Sequence, residues 1–259
     1  MTLIIAIKCK DGVVFASDGQ ATSFSSGGPV RQKTKKIYQI GDILFAAAGT
    51  VGVIQRCRDM FREVFGKFSE EIAREGINAI IEERTPDGKV KHISVRDKIR
   101  ELVFLINKAE RERHRAFYGK EEGAPVADVL IAFYDKREEK FKIWHIAPDG
   151  GEEFLEEIGY GCIGIGDIFA HAFIKDYYSS ELDIERGKFL AYRIIKDAIE
   201  IGAYGLGEPI DIWTMKITQN GNLEIRNLTK EEIMALNDTY IVWKDVEKEV
   251  FERIFTEQQ

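Results

Sequence analysis

Thr2 stands at the head of the first apolar run of the chain, where its hydroxyl could act as a nucleophile. A threonine hydroxyl reacts poorly unless a base removes its proton. Removal of Met1, which the small side chain of Thr2 favours, would free an α-amine whose pKa is about 7.7–8.0 in peptides. A nearby lysine could lower that pKa, and Asp18 could hold the lysine in place. The sequence therefore allows an N-terminal nucleophile, although a small second residue is common in proteins.

Two short apolar runs must position these side chains. Leu3–Cys9 and Val13–Ser17 are rich in Val, Ile and Ala, and the turn residues Lys10–Gly12 separate them. Short apolar runs on either side of a glycine-containing turn predict a β-hairpin. Thr2 and Asp18 would then both lie at the open end of this hairpin.

The register of the hairpin decides whether Thr2 and Asp18 face each other. A two-residue turn at Asp11 and Gly12 would place their side chains on opposite faces. A three-residue loop from Lys10 to Gly12 places both on one face, with Asp18 diagonally across from Thr2. We expect the three-residue loop, because its last position needs the left-handed conformation that glycine adopts readily.

The rest of the chain predicts blocks of strands that alternate with pairs of helices. Further strands are expected at Lys36–Ile40, Ile43–Ala48, Val126–Tyr134, Lys140–Ile146, Ile210–Thr218 and Leu223–Arg226. Helices are expected at Val51–Phe65, Glu70–Glu83, Val95–Phe117, Ile168–Tyr178 and Ile184–Ile201, and loops at Ser23–Pro29 and Thr85–His92. Such blocks predict an α+β fold, in which helices cover antiparallel sheets.

The segment from Thr229 onwards predicts a helical extension. Thr229 and Glu232 form the pattern of a capping box. Apolar residues then recur every fourth position, with two phenylalanines beside them: Val242, Val246, Val250, Ile254, Phe251 and Phe255. We divide the chain into a main domain over residues 1–228 and an extension over 229–259, and we expect the extension to pack on the core or on a neighbouring subunit.

Composition narrows the class of protein. The chain has 259 residues, 44% of them hydrophobic, which is enough for one sizeable core. A net charge of −7 argues against nucleic acid as the main partner. No apolar run reaches membrane-spanning length and no signal peptide is evident, so a cytoplasmic protein without membrane partners is expected. The three cysteines and four histidines have no metal-ligand spacing, and we expect neither a metal nor a cofactor.

Several segments near the start of the chain together resemble the β-type threonine peptidases of the proteasome. These segments are Thr2, Cys9–Thr22 (CKDGVVFASDGQAT), Lys36 before Ile37, and Ala46–Thr50 (AAAGT). The string DGQAT is most similar to the bacterial two-ring proteasome homologue that works with an ATPase. The resemblance is sharp over residues 1–60 and diffuse afterwards. It implies the four-layer αββα fold of N-terminal-nucleophile hydrolases for residues 1–228.

The resemblance also implies roles for individual residues. Thr2 would be the nucleophile and, through its amine, the base, while Asp18 would partner the lysine at Lys36. Lys33 and Lys35 remain alternatives for that lysine, because the preceding loop looks longer than in the family.

Gly49 would supply the backbone N–H that stabilises the oxyanion. The specificity pocket would comprise Ala21, Thr34, Tyr38, Ala47 and Gln55.

Two positions depart from the family pattern. Ile165, within Gly164–Gly166, stands where the family usually has a serine. Gly202–Gly205 (GAYG) is the best match to a segment that usually carries a supporting aspartate and serine, and it has neither. Asp167 could substitute for the missing polar group, or it could cap the following helix.

The leading hypothesis is an enzyme that cleaves peptide bonds through a Thr2 acyl-enzyme after Met1 is removed. Transpeptidation, as in the related connectases, and amide hydrolysis on a small metabolite would use the same chemistry. A non-catalytic ring or scaffold subunit is the alternative that the missing polar residues favour. The resemblance further implies peptide or unfolded-protein substrates, a homo-oligomeric ring and an ATPase as a possible partner.

Overall fold

The computed structural model describes residues 2–25, 28–84, 87–202 and 205–256. The strands are β1 Ile4–Cys9, β2 Gly12–Ser17, β3 Gln20–Ser25, β4 Gly28–Lys33, β5 Ile37–Ile40, β6 Ile43–Gly49, β7 Ile80–Arg84, β8 Val90–Ser94, β9 Ala127–Asp135, β10 Lys140–Ile146, β11 Glu152–Phe154, β12 Tyr160–Ile163, β13 Asp211–Ile217 and β14 Leu223–Asn227. The helices are α1 Val51–Lys67, α2 Ser69–Glu75, α3 Val95–Tyr118, α4 Asp167–Tyr177, α5 Ile184–Glu200 and α6 Lys230–Thr256.

Within the described ranges, the strands form two five-stranded sheets and two separate hairpins. The first sheet has the order β12-β1-β2-β13-β14, and the second has the order β11-β10-β9-β6-β5. Neighbouring strands in both sheets are antiparallel. The hairpins are β3-β4 and β7-β8. These antiparallel sheets with segregated helices confirm the predicted α+β class.

Three apolar clusters among the residues that the structure describes hold the sheets and helices together. The first lies between the two sheets and includes Ile4 and Phe15 from one sheet and Leu44 from the other. The second joins the first sheet to α4 and α5, and the third joins the second sheet to α1 and α3. Strands that are buried on both faces need apolar residues throughout, which explains the unbroken runs in β1 and β6.

The register of the first hairpin differs from both of the predicted alternatives. Cys9 pairs with Gly12, so the turn consists of Lys10 and Asp11 alone. Gly12 is the first residue of β2, where a Cβ atom would lie 2.2 Å from the carbonyl oxygen of Met215 on β13. The glycine therefore permits close packing of two strands and does not serve the left-handed position of a turn.

This register also changes the relation between Thr2 and Asp18. The backbone N–H of Asp18 donates to the carbonyl of Leu3 at 3.2 Å, so Asp18 lies opposite Leu3. Because side chains alternate along a strand, the prediction that Thr2 and Asp18 share one face of the hairpin was wrong.

The predicted helix at Glu70–Glu83 was wrong over its second half. α2 ends at Glu75, and Gly76 follows with a φ of +67°, a left-handed conformation that stops a helix. A short 3-10 turn then leads into β7, which pairs with β8. β8 begins at Val90, inside the connection that was predicted as a loop, while residues 85 and 86 of that connection lie outside the described residues.

Four further strands were missed. β3 and β4 occupy most of the predicted Ser23–Pro29 loop, whose residues 26 and 27 lie outside the described part of the chain. β11 and β12 were missed because one is short and charged and the other is rich in glycine. The remaining predicted strands and helices are present with shifts of a few residues at their ends.

α6 packs on the body over its first half and is exposed over its second half. The backbone N–H of Thr229 donates to Glu232, and that of Glu232 donates to the Thr229 hydroxyl, which confirms the capping box. The hydroxyl of Tyr240 is buried and lies 2.7 Å from a carboxylate oxygen of Asp197 on α5. By contrast, each member of the predicted apolar stripe is at least half exposed: Val242, Val246, Val250, Ile254, Phe251 and Phe255. Contact of this stripe with a neighbouring subunit stays a prediction.

Two features are absent from the described ranges. No helix there combines the length and the apolar composition that crossing a membrane requires. No group of three or more His, Cys, Asp or Glu side chains there is arranged to hold a metal ion.

Candidate active site

A cavity of about 100 Å³ opens beside Thr2. Its lining residues are Thr2, Ala21, Thr22, Thr34, Lys35, Lys36, Tyr38, Ala47, Gly49, Val51, Ile54 and Gln55. The chain thus brings together eight of the nine residues that the sequence analysis singled out for the site. The ninth, Asp18, is fully buried and reaches the cavity through Lys36.

Lys36, which lines the cavity, forms a buried ion pair with Asp18 behind it. The ammonium Nζ of Lys36 lies 2.5 Å from Oδ1 of Asp18, and the two side chains are 6% and 0% exposed. Burial lowers the pKa of Lys36, and the charge and hydrogen bond of Asp18 oppose this shift. Of the three lysines considered for this role, Lys36 is the one whose ammonium contacts Asp18.

The carboxylate of Asp18 is also held by three backbone N–H groups. Leu3 donates to Oδ1 at 2.9 Å, and Gln20 and Gly207 donate to Oδ2 at 3.2 and 3.3 Å. These bonds compensate the loss of water around a buried charge. They also tie the start of β1, the start of β3 and the segment before β13 to one point, which fixes the position of Lys36.

The turn at Gly164–Gly166 packs directly on the backbone of Thr2. The N–H of Gly166 donates to the carbonyl of Thr2 at 3.3 Å. At Gly164, whose φ is +99°, a Cβ atom would lie 2.2 Å from the same carbonyl oxygen. Ile165 between them is half exposed and brings no hydroxyl to Thr2. Gly166 is the N-cap of α4, so the proposed capping role of Asp167 was wrong.

Gly49 sits where a side chain cannot fit. Its φ is +129°, and a Cβ atom would lie 2.0 Å from the carbonyl oxygen of Val126. The next residue, Thr50, donates its N–H to that oxygen at 2.9 Å. Hydrogen-bonding direction alternates along an antiparallel strand, so the N–H of Gly49 points away from β9.

The contacts of β9 agree with this direction of the Gly49 N–H. Ala127, which pairs with Gly49, uses its backbone N–H and C=O to bond the side chain of Asn107 and not Gly49. On the other edge of β6, pairing with β5 ends at Ala46 and Ile37. The N–H of Gly49 is therefore directed towards the uncovered edge that borders the cavity.

The wall of the predicted specificity pocket is built around Tyr38. Its hydroxyl donates to the carbonyl of Lys35 at 2.7 Å, and the guanidinium of Arg58 lies 5.1 Å from its ring centroid. Sequence reasoning missed Thr22, whose buried hydroxyl has no hydrogen-bond partner among the described residues. Its place next to Ala21 in the DGQAT string was the available signal.

Of the segment Gly202–Gly205, the last residue contacts the side chain of Gln20 through a backbone group. The carbonyl of Gly205 accepts a hydrogen bond from Nε2 of Gln20 at 2.5 Å. Residues 203 and 204 lie outside the described residues, as does Met1, so the expectations for them concern positions that the structure does not describe.

The chain is similar in sequence to known proteasome subunits. The sequence model of the family described as "Proteasome subunit" matches residues 2–75 and 97–214. "Proteasome subunit beta 1" of Thermococcus onnurineus is 30% identical over 237 residues, which cover 91% of this chain and 96% of that protein. "Proteasome subunit beta" of Archaeoglobus profundus is 29% identical over 233 residues, which cover 90% of each chain. That of Ferroglobus placidus is 27% identical over 236 residues, which cover 91% and 93%.

Proposed function

Because this chain belongs to the proteasome subunit family, we propose that it is a threonine peptidase whose nucleophile is the hydroxyl of Thr2. The observation that carries this proposal is the buried pair of Lys36 and Asp18 behind a cavity that Thr2 and Gly49 both line. Replacing a buried ion pair by apolar residues often leaves stability unchanged or improved. A pair at this place is therefore better explained by chemistry than by stability.

The proposed reaction begins once Met1 has been removed. The free amine of Thr2 takes the proton of its own hydroxyl, and Oγ1 attacks the carbonyl carbon of the scissile peptide bond. The N–H of Gly49 donates to the oxygen that gains negative charge. The protonated amine returns its proton to the leaving nitrogen, the C–N bond breaks, and an ester on Thr2 remains.

Water completes the cycle. The Thr2 amine takes a proton from water, hydroxide attacks the ester, and the second product leaves as a carboxylic acid while Oγ1 regains a proton. The ammonium of Lys36 favours the neutral form of the nearby amine, because two positive charges in one site repel. Asp18 acts through Lys36 and is a positioning residue.

We propose the pocket residues Ala21, Thr34, Tyr38, Ala47 and Gln55 as contacts for the side chain that precedes the scissile bond. Their common place on the cavity wall supports this assignment. The substrates would be peptides or unfolded proteins, because an extended chain would find an unpaired stretch of β6 beside the cavity.

We also propose how the layers of the chain are arranged and how copies of it assemble. The three apolar clusters support a four-layer αββα arrangement for residues 1–228, with 229–259 as the helical extension. Membership of the family implies assembly with other subunits into rings. We propose a ring of copies of this chain, in which the exposed stripe of α6 contacts a neighbouring subunit and an ATPase can deliver substrate.

One observation favours a second candidate, a ring subunit without activity. Ile165 contributes an apolar side chain to the turn against Thr2, and no side-chain hydroxyl from that turn can orient the amine. Such a subunit would have the same fold and would assemble in the same way, but it would have no catalytic activity.

Hydrolysis of fluorogenic peptides by the Thr2→Ala variant separates the two candidates. We expect wild-type protein to turn over at least one peptide and Thr2→Ala to lose at least about a thousandfold in rate. Thr239→Ala, on the exposed surface of α6, is the matched control and should retain full activity. Equal rates for wild type and Thr2→Ala would refute the peptidase proposal.

A further inference from the structure

A second and larger cavity lies next to the candidate active site. This groove has a volume of about 670 Å³ and is bordered by the segment before β3, the link from β4 to β5, the start of β13 and the start of α6. Its lining includes Lys33, Lys35, Asp211, Lys230, Ile233 and Met234.

The groove adjoins the site around Thr2. Thr34 and Lys35 line both cavities, so one short stretch of chain forms the border between them. The N–H of Thr34 donates to the carbonyl of Gly19 at 2.8 Å, which fixes that border. A polypeptide that passes Thr2 and crosses Thr34 would reach the groove.

The rim of the groove carries three lysines that are available to a ligand. Among the described residues, Lys33, Lys35 and Lys230 form no ion pair with any carboxylate, although the chain as a whole has a net charge of −7. The ammonium of Lys35 lies 4.7 Å from the ring centroid of Trp213, a contact that leaves it able to bind an anion.

Asp211, the carboxylate among the described lining residues, forms no ion pair with these lysines. Oδ1 of Asp211 accepts from Nδ2 of Asn227 at 2.5 Å, and Oδ2 accepts from Nε1 of Trp213 at 3.1 Å. The floor between the charged groups is apolar, and it includes Ile210, Ile233 and the exposed side chain of Met234. The groove thus combines an apolar floor with a positive rim.

We propose that the groove binds an acidic stretch of the polypeptide substrate, with carboxylates on Lys33, Lys35 and Lys230 and apolar side chains on Ile233 and Met234. This inference rests on the proposed function, because it assigns the chain next to the scissile bond. Charge-assisted hydrogen bonds and steering by the positive rim would favour acidic over neutral peptides.

Binding measurements test the groove without requiring turnover. The probes are three fluorescent peptides of one length that differ only in carrying glutamates, glutamines or lysines at the same positions. We expect the glutamate peptide to bind the full-length Thr2→Ala protein about tenfold more tightly than the glutamine peptide at low salt. The difference should shrink as salt is added, since ions screen exposed charges.

A charge-reversal pair locates the effect. Lys33→Glu with Lys230→Glu should abolish the preference for the glutamate peptide. Lys140→Glu with Lys175→Glu changes the net charge equally at exposed positions that do not line the groove, and should keep the preference. Equal binding of the glutamate and glutamine peptides, or equal behaviour of the two double variants, overturns the proposal.

Two further outcomes distinguish substrate binding in the groove from binding of a second copy of the chain, and from failure of the proposed peptidase function. If Lys33→Glu with Lys230→Glu breaks the oligomer while the control double variant does not, the groove holds a second copy of the chain and the substrate role is wrong. If the glutamate peptide binds as expected but wild-type protein cleaves no peptide, the groove has the inferred ligand class and the proposed peptidase function fails.

Discussion

The ammonium of Lys36 contacts the carboxylate of Asp18 in the interior of the protein, directly behind the cavity that Thr2 lines. Taking two charges out of water costs more than their attraction returns unless further hydrogen bonds satisfy them. Three backbone N–H groups satisfy Asp18 here. The fold therefore maintains a positive charge at one defined point beside a hydroxyl that would need activation.

Asp18→Asn tests whether this pair positions the site. We expect peptide hydrolysis to fall at least about tenfold. The free energy of unfolding should fall by about 3–5 kcal/mol, because the ammonium of Lys36 remains buried without its counter-charge. Asp42→Asn is the control, since Asp42 forms an exposed ion pair with Lys136 at 3.5 Å and should change stability by less than about 1 kcal/mol. Urea unfolding and initial rates measure both effects, and unchanged rates for Asp18→Asn would contradict the positioning role.

Gly49→Ala tests the demand for glycine at the end of β6. The methyl group would collide with the carbonyl of Val126 and adopt an unfavourable φ, so we expect the variant to lose about 2 kcal/mol or more of stability and most of its activity. Gly52→Ala, three residues later, meets no atom within 4 Å and should change stability by at most about 1 kcal/mol. Thermal unfolding compares the two variants, and similar melting temperatures would refute the steric argument.

Ile165→Ser restores a hydroxyl to the turn that packs on Thr2. A new hydrogen bond near the reacting groups should raise kcat by about 2–10-fold, with little loss of stability because Ile165 is half exposed. Ile168→Ser is the control, because Ile168 is even more exposed and lies on α4 beyond the turn. Measurement of kcat for both variants tests this prediction. An equal effect of the two substitutions would argue against a specific role for position 165.

Asp128→Asn tests a pH-dependent contact outside the site. The carboxylate of Asp128, 2.7 Å from Nε2 of His145, is the main cause that raises the pKa of this histidine. A raised pKa means that the stabilisation is present below the unfolded pKa, about 6.5, and disappears as pH rises through the folded pKa. Asp128→Asn should therefore destabilise the protein at pH 5.5 and much less at pH 9. Urea unfolding at the two values checks this, and an equal loss at both would exclude the linkage.

The sequence predicted which residues come together better than it predicted the fold around them. Thr2, Asp18 and Lys36 belong to short motifs near the start of the chain, and the chain brings them to one place. The choice of these three residues rested on the motifs and not on the hairpin register, and the register that we predicted was wrong. Asp18 reaches Lys36 although it lies opposite Leu3, because the chain leaves the regular ladder after Ser17.

The failures have a common physical cause in tertiary contacts. Gly12 looked like a turn glycine, yet it is there because β13 passes too close for a side chain. β7 looked helical, yet Gly76 ends the helix and pairing with β8 stabilises an extended conformation. Local propensity is a weak guide where a distant strand supplies the decisive contact.

The intact mass of the purified protein, measured before and after reaction with an electrophilic peptide that modifies nucleophilic hydroxyls, shows whether Thr2 is an N-terminal nucleophile. We expect a mass that lacks Met1, followed by a single adduct that peptide mapping places on Thr2 and that Thr2→Ala does not form. Retention of Met1 in the native protein would leave the amine of Thr2 in a peptide bond, and an N-terminal nucleophile would then be excluded.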